Sequence, residues 1–481
     1  MQSQVKVLKI LALSILMGLA VTGLGSAQPA PPAPLPPGQV LESVACYNDP
    51  TQSYALYLPS GYTPGKPWPI IYAFDPLARG TVPVRLYKDL AEKYGYVVAA
   101  SNNSRNFAMD AATKGINAMW QDTHLRLTLD ERRVYTTGFS GGARVAGMVA
   151  LSCRQCNVAG VMAYGAGYPM SQKPSPRDRN PALYFLAVGD QDFNWEEITT
   201  VRREREELGQ PYREVVFPGP HQWPPPEVIA EAVEWIHLKA MQSGTLRSDP
   251  EFIDREFRQR QADAAEAETR GDAIAQLGAY RSLVSDFKGL KDVTEYEAKL
   301  VALKESPALK GALKKEDEAM AAQGSLTADI SSQIAVAEKA SPGERVDLRR
   351  DLLDAMTQLR SQSQHEKNDD KRLVLQRSFH DVWAQGIEAG QAQLADRHFD
   401  LAEFYFRLMA DVTPDEPWPT LLLAETDTAA GNRKQAIKDL RETVKRGLKN
   451  PDAIEKDVAL DALRSEAEFQ KIVAELKANN Y

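Results

Sequence analysis

One serine of the chain has the setting of a nucleophile. It lies in Gly138-Phe139-Ser140-Gly141-Gly142, between an apolar strand-like run at 134–137 and a helix-like stretch at 141–151. A reactive serine must sit on a very tight strand-to-helix turn, so that its oxygen projects from the sheet. Side chains at the flanking positions would collide there, which is why glycine is needed. The amide of Gly141, at the start of the following helix, is then the expected donor to an oxyanion.

A serine hydroxyl attacks only when a base takes its proton and an acid orients that base. Of the six histidines, only His221 and His237 follow Ser140 before the sequence turns wholly helical near residue 245. His237 falls inside a helical run at 227–241 and reads as structural. His221 lies in Pro218-Gly219-Pro220-His221-Gln222-Trp223-Pro224, just after a strand-like run at 214–217. That is a loop at the carboxyl edge of a sheet, where ligand sites gather. The acid should follow the preceding strand, and 183–188 runs into Gly189-Asp190-Gln191-Asp192. Both aspartates are candidates; Asp190 is equally suited to capping the turn.

A second oxyanion donor is expected after the apolar run 69–74. Pro76 has no N–H, so Leu77 or Ala78 must supply it, and Leu77 is preferred. Asp75 is either a turn former or a substrate contact. Asn103, in the polar stretch 102–106, either rims the same pocket or belongs to a surface turn. Trp223 and Trp195 either wall the pocket or pack.

The elements that must hold these residues can be read from periodicity. Strand-like runs at 54–58, 69–74, 96–100, 134–137, 158–164, 183–188 and 214–217 alternate with helical stretches. This predicts a mainly parallel sheet with helices on both faces over residues 40–244. Residues 245–481 are rich in Ala, Glu, Lys, Leu and Arg with helical periodicity throughout. Near the end, Ala389-Gly390, Ala402 and Phe406 are echoed with a 34-residue period by Leu423-Ala424, Ala436 and Leu440. That spacing of small and large residues resembles tetratricopeptide repeats.

Composition bounds the rest. With 481 residues, 43% hydrophobic and 25% charged, the chain is long enough for two or three globular domains. A formal net charge of -8 argues against a nucleic-acid binder. Lys6 and Lys9 lead an apolar run at 10–21 that ends in Gly25-Ser26-Ala27, the layout of a signal peptide covering 1–27. The run is shorter than the roughly 20 residues a spanning helix needs, so no membrane span is expected after cleavage. A Pro-rich spacer fills 28–39. Cys46, Cys153 and Cys156 allow one disulfide in three pairings, and no set of ligands completes a metal site.

The pieces Arg133 to Ala143, Gly189-Asp190-Gln191-Asp192 and His221-Gln222-Trp223-Pro224 resemble the α/β-hydrolase superfamily. They are most similar to secreted polyhydroxybutyrate depolymerase-like and feruloyl esterase-like enzymes. The resemblance spans residues 40–241 and implies an α/β-hydrolase sheet there; the all-α tetratricopeptide-like domain that follows is not part of it and rests on the repeat. It implies Asp192 as the acid, at the last place of a G-x-x-D segment, and His221 as the base. The family's His-Gly after the oxyanion strand is here Asp75-Pro76. The resemblance further implies a secreted or periplasmic serine esterase that needs no cofactor and acts on a small-molecule or polymer-linked ester. The helical tail is then a docking place for a protein or peptide partner. A peptidase or acyltransferase with the same three residues is one alternative. A binding protein that uses the fold only as a scaffold is the other.

Overall fold

The structure, a computed structural model, describes residues 33–169 and 182–478. The expected signal peptide and the first part of the spacer lie outside the described residues. The described residues from 36 onward form one compact unit.

The first part alternates strands and helices. In order these are β1 (Val40–Ala45), β2 (Ser53–Tyr57), β3 (Trp68–Phe74), α1 (Thr81–Tyr94), β4 (Val97–Ser101), α2 (Met109–Arg126), β5 (Leu129–Phe139) and α3 (Gly141–Ser152). They are followed by β6 (Val158–Tyr164), β7 (Leu183–Gly189), α4 (Trp195–Glu207), β8 (Tyr212–Phe217) and α5 (Pro226–Gln242). The strands form one sheet in the order β1-β2-β4-β3-β5-β6-β7-β8. β1 and β2 are antiparallel and all pairings from β4–β3 onward are parallel. This is an α/β-hydrolase sheet.

The central strands β3 and β4 are nearly continuous apolar runs because both faces are covered. β3 and β4 are buried at every residue. Successive side chains point to opposite faces. Ile71 and Ala73 join a core with Tyr87 of α1 and Trp235 of α5. Tyr72, between them, stacks on Trp120 of α2 at 4.6 Å. β1 escaped the sequence reading because it is an edge strand with Glu42 and Ser43 exposed, so its apolar pattern is broken.

The rest is all helical: α6 (Pro250–Arg270), α7 (Ala273–Phe287), α8 (Thr294–Glu305), α9 (Pro307–Ala337), α10 (Pro342–His365), α11 (Asp369–Ala395) and α12 (Phe399–Val412). Then come α13 (Trp418–Ala430), α14 (Arg433–Lys445), the short α15 (Asp452–Glu455) and α16 (Ala467–Ala478). The 34-residue echo falls on two helix pairs, α11–α12 and α13–α14. Side chains added at Gly386 and Gly390 would collide with Met409 and Phe406, so the small residues set how closely α11 and α12 approach. The chain makes no break at residue 245. Leu238 and Met241 of α5 share an apolar cluster with Phe252, Leu277 and Phe287 of α6 and α7.

That packing also covers the β8 edge of the sheet. Arg213 of β8 pairs with Asp286 of α7 at 2.7 Å, both nearly inaccessible to solvent. Arg202 of α4 bridges Glu214 of β8 at 3.1 Å and Glu316 of α9 at 2.6 Å. Of the three possible disulfides, Cys153–Cys156 is formed, and Cys46 is free and buried. Among the described residues no helix is long and apolar enough to cross a membrane.

Candidate active site

Ser140 stands between the last residue of β5 and the first of α3. Its backbone is at φ 55°, ψ −124°, a conformation that costs a side-chain-bearing residue energy and is typical of functional turns. The turn is tight enough that a side chain on Gly138 would strike the carbonyl of Gly142. One on Gly142 would strike the carbonyl of Phe74. The Ser140 amide is fixed by the Tyr164 carbonyl at 2.8 Å. The Gly141 amide opens the first turn of α3, where N–H groups have no acceptor within the helix.

Asp192 is completely buried in the turn that leaves β7. His221 lies in the loop between β8 and α5, and its Nδ1 is 2.8 and 2.9 Å from the two carboxylate oxygens of Asp192. The imidazole sits between two aromatic rings, 4.5 Å from Phe139 and 4.3 Å from Phe193 by ring centroids. Phe139 is the residue before Ser140, so this contact brings the histidine to the serine turn. Gly165, at φ +61°, makes the space: a Cβ there would lie 3.1 Å from both Asp192 Oδ2 and His221 Cε1. Asp190 takes the structural role of the two aspartates. Its Oδ1 accepts from the Gly219 amide at 2.9 Å and ties the acid turn to the histidine loop.

The remaining predicted residues behave differently. The Leu77 amide, expected to face an oxyanion, donates to Asp75 Oδ1 at 2.9 Å, and the Ala78 amide donates to the Asp75 carbonyl at 3.0 Å. Neither is free in this arrangement. Asp75 is not open to a substrate either. Its buried carboxylate is gripped by Arg79 Nε and Nη2, both at 2.9 Å, and by Trp223 Nε1 at 3.1 Å. Trp223 packs against Phe139 and Tyr164, each at 5.8 Å, and so joins the β3 loop to the histidine loop. Asn103 is turned away from the serine, its Oδ1 accepting from the Ser53 amide at 2.8 Å. His237 stays in α5 among Tyr94, Tyr96 and Phe252. Burial there pulls it down to about 4, which keeps it neutral.

Other side chains fill the gaps. The carboxamide of Asn106 lies directly against Gly141, its Oδ1 nearest and its Nδ2 farther away. Leu77 and Phe107 on the neighbouring loops and Met109 at the start of α2 are large apolar side chains left exposed. Arg144, one turn into α3, pairs with Glu197 of α4 at 2.5 Å. From α11, Glu388 faces Arg144 and His221. Partial desolvation lifts its carboxyl above the usual range against the pull of those two groups, a small effect because the residue as a whole is exposed. Among the described residues no cluster of His, Cys, Asp or Glu is arranged to hold a metal ion.

No protein-family model matches the chain. No curated protein matches it either. Among solved structures, it is similar to S-formylglutathione hydrolase from Staphylococcus aureus, with 16% identity over 41% of this chain and 96% of that one, at a TM-score of 0.34. A ferulic acid esterase aligns with 14% identity over 40% of this chain and 95% of that one, at a TM-score of 0.33. An esterase from Pyrobaculum calidifontis aligns with 16% identity over 43% of this chain and 87% of that one, at a TM-score of 0.35.

Proposed function

We propose that the protein is an exported serine hydrolase that cleaves carboxylic esters through an acyl-enzyme. The observation that carries this reading is the His221–Asp192 pair, seated on the ring of Phe139 beside the strained Ser140 turn. In the proposed reaction His221 Nε2 takes the Ser140 proton as the hydroxyl attacks the ester carbonyl. Asp192 fixes the imidazole with its proton on Nδ1 and stabilises the imidazolium that forms. The protonated His221 then gives its proton to the departing alcohol. Water, deprotonated by the same ring, releases the acid and restores Ser140.

The Gly141 amide is the first oxyanion donor. For the second, the Asn106 carboxamide is the better candidate, because Asp75 holds the Leu77 amide. A side-chain amide serves this purpose in other hydrolases. The exposed apolar residues Leu77, Phe107 and Met109 suit an ester with a sizeable apolar group. The apolar leader at 10–21 supports export.

The test is hydrolysis of p-nitrophenyl esters of graded acyl length and of methyl hydroxycinnamates by the full chain and by Ser140→Ala. Turnover that disappears in the variant supports the reading; equal turnover in both proteins removes Ser140 as nucleophile.

A further inference from the structure

The turn that carries Asp192 is held from outside the hydrolase fold. Its inward-facing groups bond within the fold: Asp190 N to Phe217 O at 2.8 Å, Gln191 N to Gly219 O at 3.0 Å and Asp192 N to Gly189 O at 3.1 Å. The carbonyls of Asp190, Gln191 and Phe193 point the other way. All three are taken by side chains of the helical region. Arg377 Nε donates to Asp190 O at 2.6 Å, His380 Nδ1 lies 3.0 Å from Gln191 O, and Gln323 Nε2 donates to Phe193 O at 3.1 Å. Arg377 and His380 share one face of α11, and Gln323 comes from α9. The buried Arg377 guanidinium also lies over the indole of Trp195, 3.8 Å from its centroid, where the turn becomes α4.

We propose that Arg377, assisted by His380 and Gln323, is a positioning residue that holds the Asp192 turn so that its carboxylate meets His221 Nδ1. The inference rests on the triad reading above and assigns the helical region a part in the catalysis. A turn between a strand and a helix has no ladder to fix it, so the bonds to its main chain decide where its carboxylate stands. Ordinary docking of the helices is already provided elsewhere, by Arg213–Asp286, by Arg202–Glu316 and by the cluster shared between α5, α6 and α7. The three bonds to the acid turn differ in kind, because they grip consecutive stretches of backbone on either side of Asp192. Misplacing a catalytic group by about 1 Å costs on the order of a hundredfold in rate.

The experiment uses the full chain, with a fluorophosphonate as covalent probe of Ser140 and p-nitrophenyl butyrate as substrate. Arg377→Met keeps the apolar stem and removes the donor. It is expected to lower kcat roughly ten- to a hundredfold with KM nearly unchanged, and to slow labelling in parallel. Arg377→Lys should restore part of the loss. The low-field proton resonance of the His221 Nδ1–H, expected in the unaltered protein, should shift or broaden in Arg377→Met. A purely structural role would not move it in a variant that melts normally. If Arg377→Met does not fold, Gln323→Leu and His380→Phe carry the same expectation at smaller amplitude. Unaltered kcat, labelling rate and resonance in every folded variant of a reactive protein would overturn the inference alone. A parent protein that neither hydrolyses ester nor takes the label would overturn the triad reading, and this inference with it.

Discussion

Trp223 Nε1 donates to Asp75 Oδ2 at 3.1 Å, and through that bond the loop after β3 is tied to the loop that carries His221. The same carboxylate holds Arg79 and the Leu77 amide. Asp75→Ala therefore takes the acceptor from the Leu77 amide, the Trp223 indole N–H and the Arg79 guanidinium, of which the last is half exposed and can turn to water. The expected cost is about 1–3 kcal/mol of stability, read by urea denaturation. Because Trp223 is two residues from His221, kcat/KM should fall as well, by about tenfold.

The Asn106 carboxamide lies against Gly141, the residue after Ser140. If it donates to the oxyanion, Asn106→Ala lowers kcat by roughly a hundredfold or more while KM stays close to its original value. Steady-state kinetics on a p-nitrophenyl ester decide this. A kcat within twofold of the parent returns the second donor to the Leu77 loop.

Gly165 has no room for a side chain. An added Cβ would lie 2.8 Å from the Phe139 ring and 3.1 Å from His221 Cε1. Gly165→Ala should lose about 1–2 kcal/mol from its positive φ. The larger effect should be on turnover, because the methyl pushes directly on the histidine and on its carboxylate partner. A variant that loses stability but keeps kcat would show that His221 can move aside without consequence.

Much of the sheet was legible because buried parallel strands are continuous apolar runs. The run at 158–164 is β6 residue for residue, and 183–188 is β7 less its last glycine. The loops carrying Ser140, Asp192 and His221 could be singled out because the chemistry proposed for them restricts which residue types follow which strand, and the choice of Asp192 over Asp190 came from the resemblance. Asp75 was harder to read. Its composition fits a turn or a substrate contact, and only the bonds from Arg79, Leu77 and Trp223 distinguish them. The grip of α11 on the acid turn left no trace in the sequence. Arg377 and Asp190 are 187 residues apart, and a bond to a backbone carbonyl asks nothing of the partner's side chain.

Asp439 of α14 lies against Asp427 of α13, and burial together with that neighbour pushes its carboxyl up to about 7. A folded-state value raised above the unfolded one means the folded protein holds the proton more tightly. The contribution is therefore fully present below about pH 4 and is lost as pH rises through about 7. Asp439→Asn, which cannot ionise, should raise the melting temperature at pH 8 and change it little at pH 5. Equal shifts at both values would mean that Asp439 does not hold its proton more tightly in the folded protein.

Arg213 on β8 and Asp286 on α7 pair at 2.7 Å with 5% and 1% of their side chains exposed. Lys239 of α5 is 3.5 Å from the same aspartate. Removing the carboxylate leaves buried Arg213 only its longer pair with Glu231, at 3.3 Å, and takes the Asp286 carboxylate from Lys239. Asp286→Ala is expected to destabilise the protein by roughly 3–5 kcal/mol. The exposed pair Arg85–Glu42, at 2.6 Å with 66% and 65% exposure, provides the contrast. Glu42→Ala should cost less than about 1 kcal/mol, because solvent screens the charges and each side chain gives up freedom to meet the other. Chain shortened to residues 36–244 loses Asp286 and the cover over β8 together. It should melt well below the full chain and expose apolar surface to a hydrophobic dye. A shortened chain as stable as the whole would show that the helices add nothing to the sheet they cover.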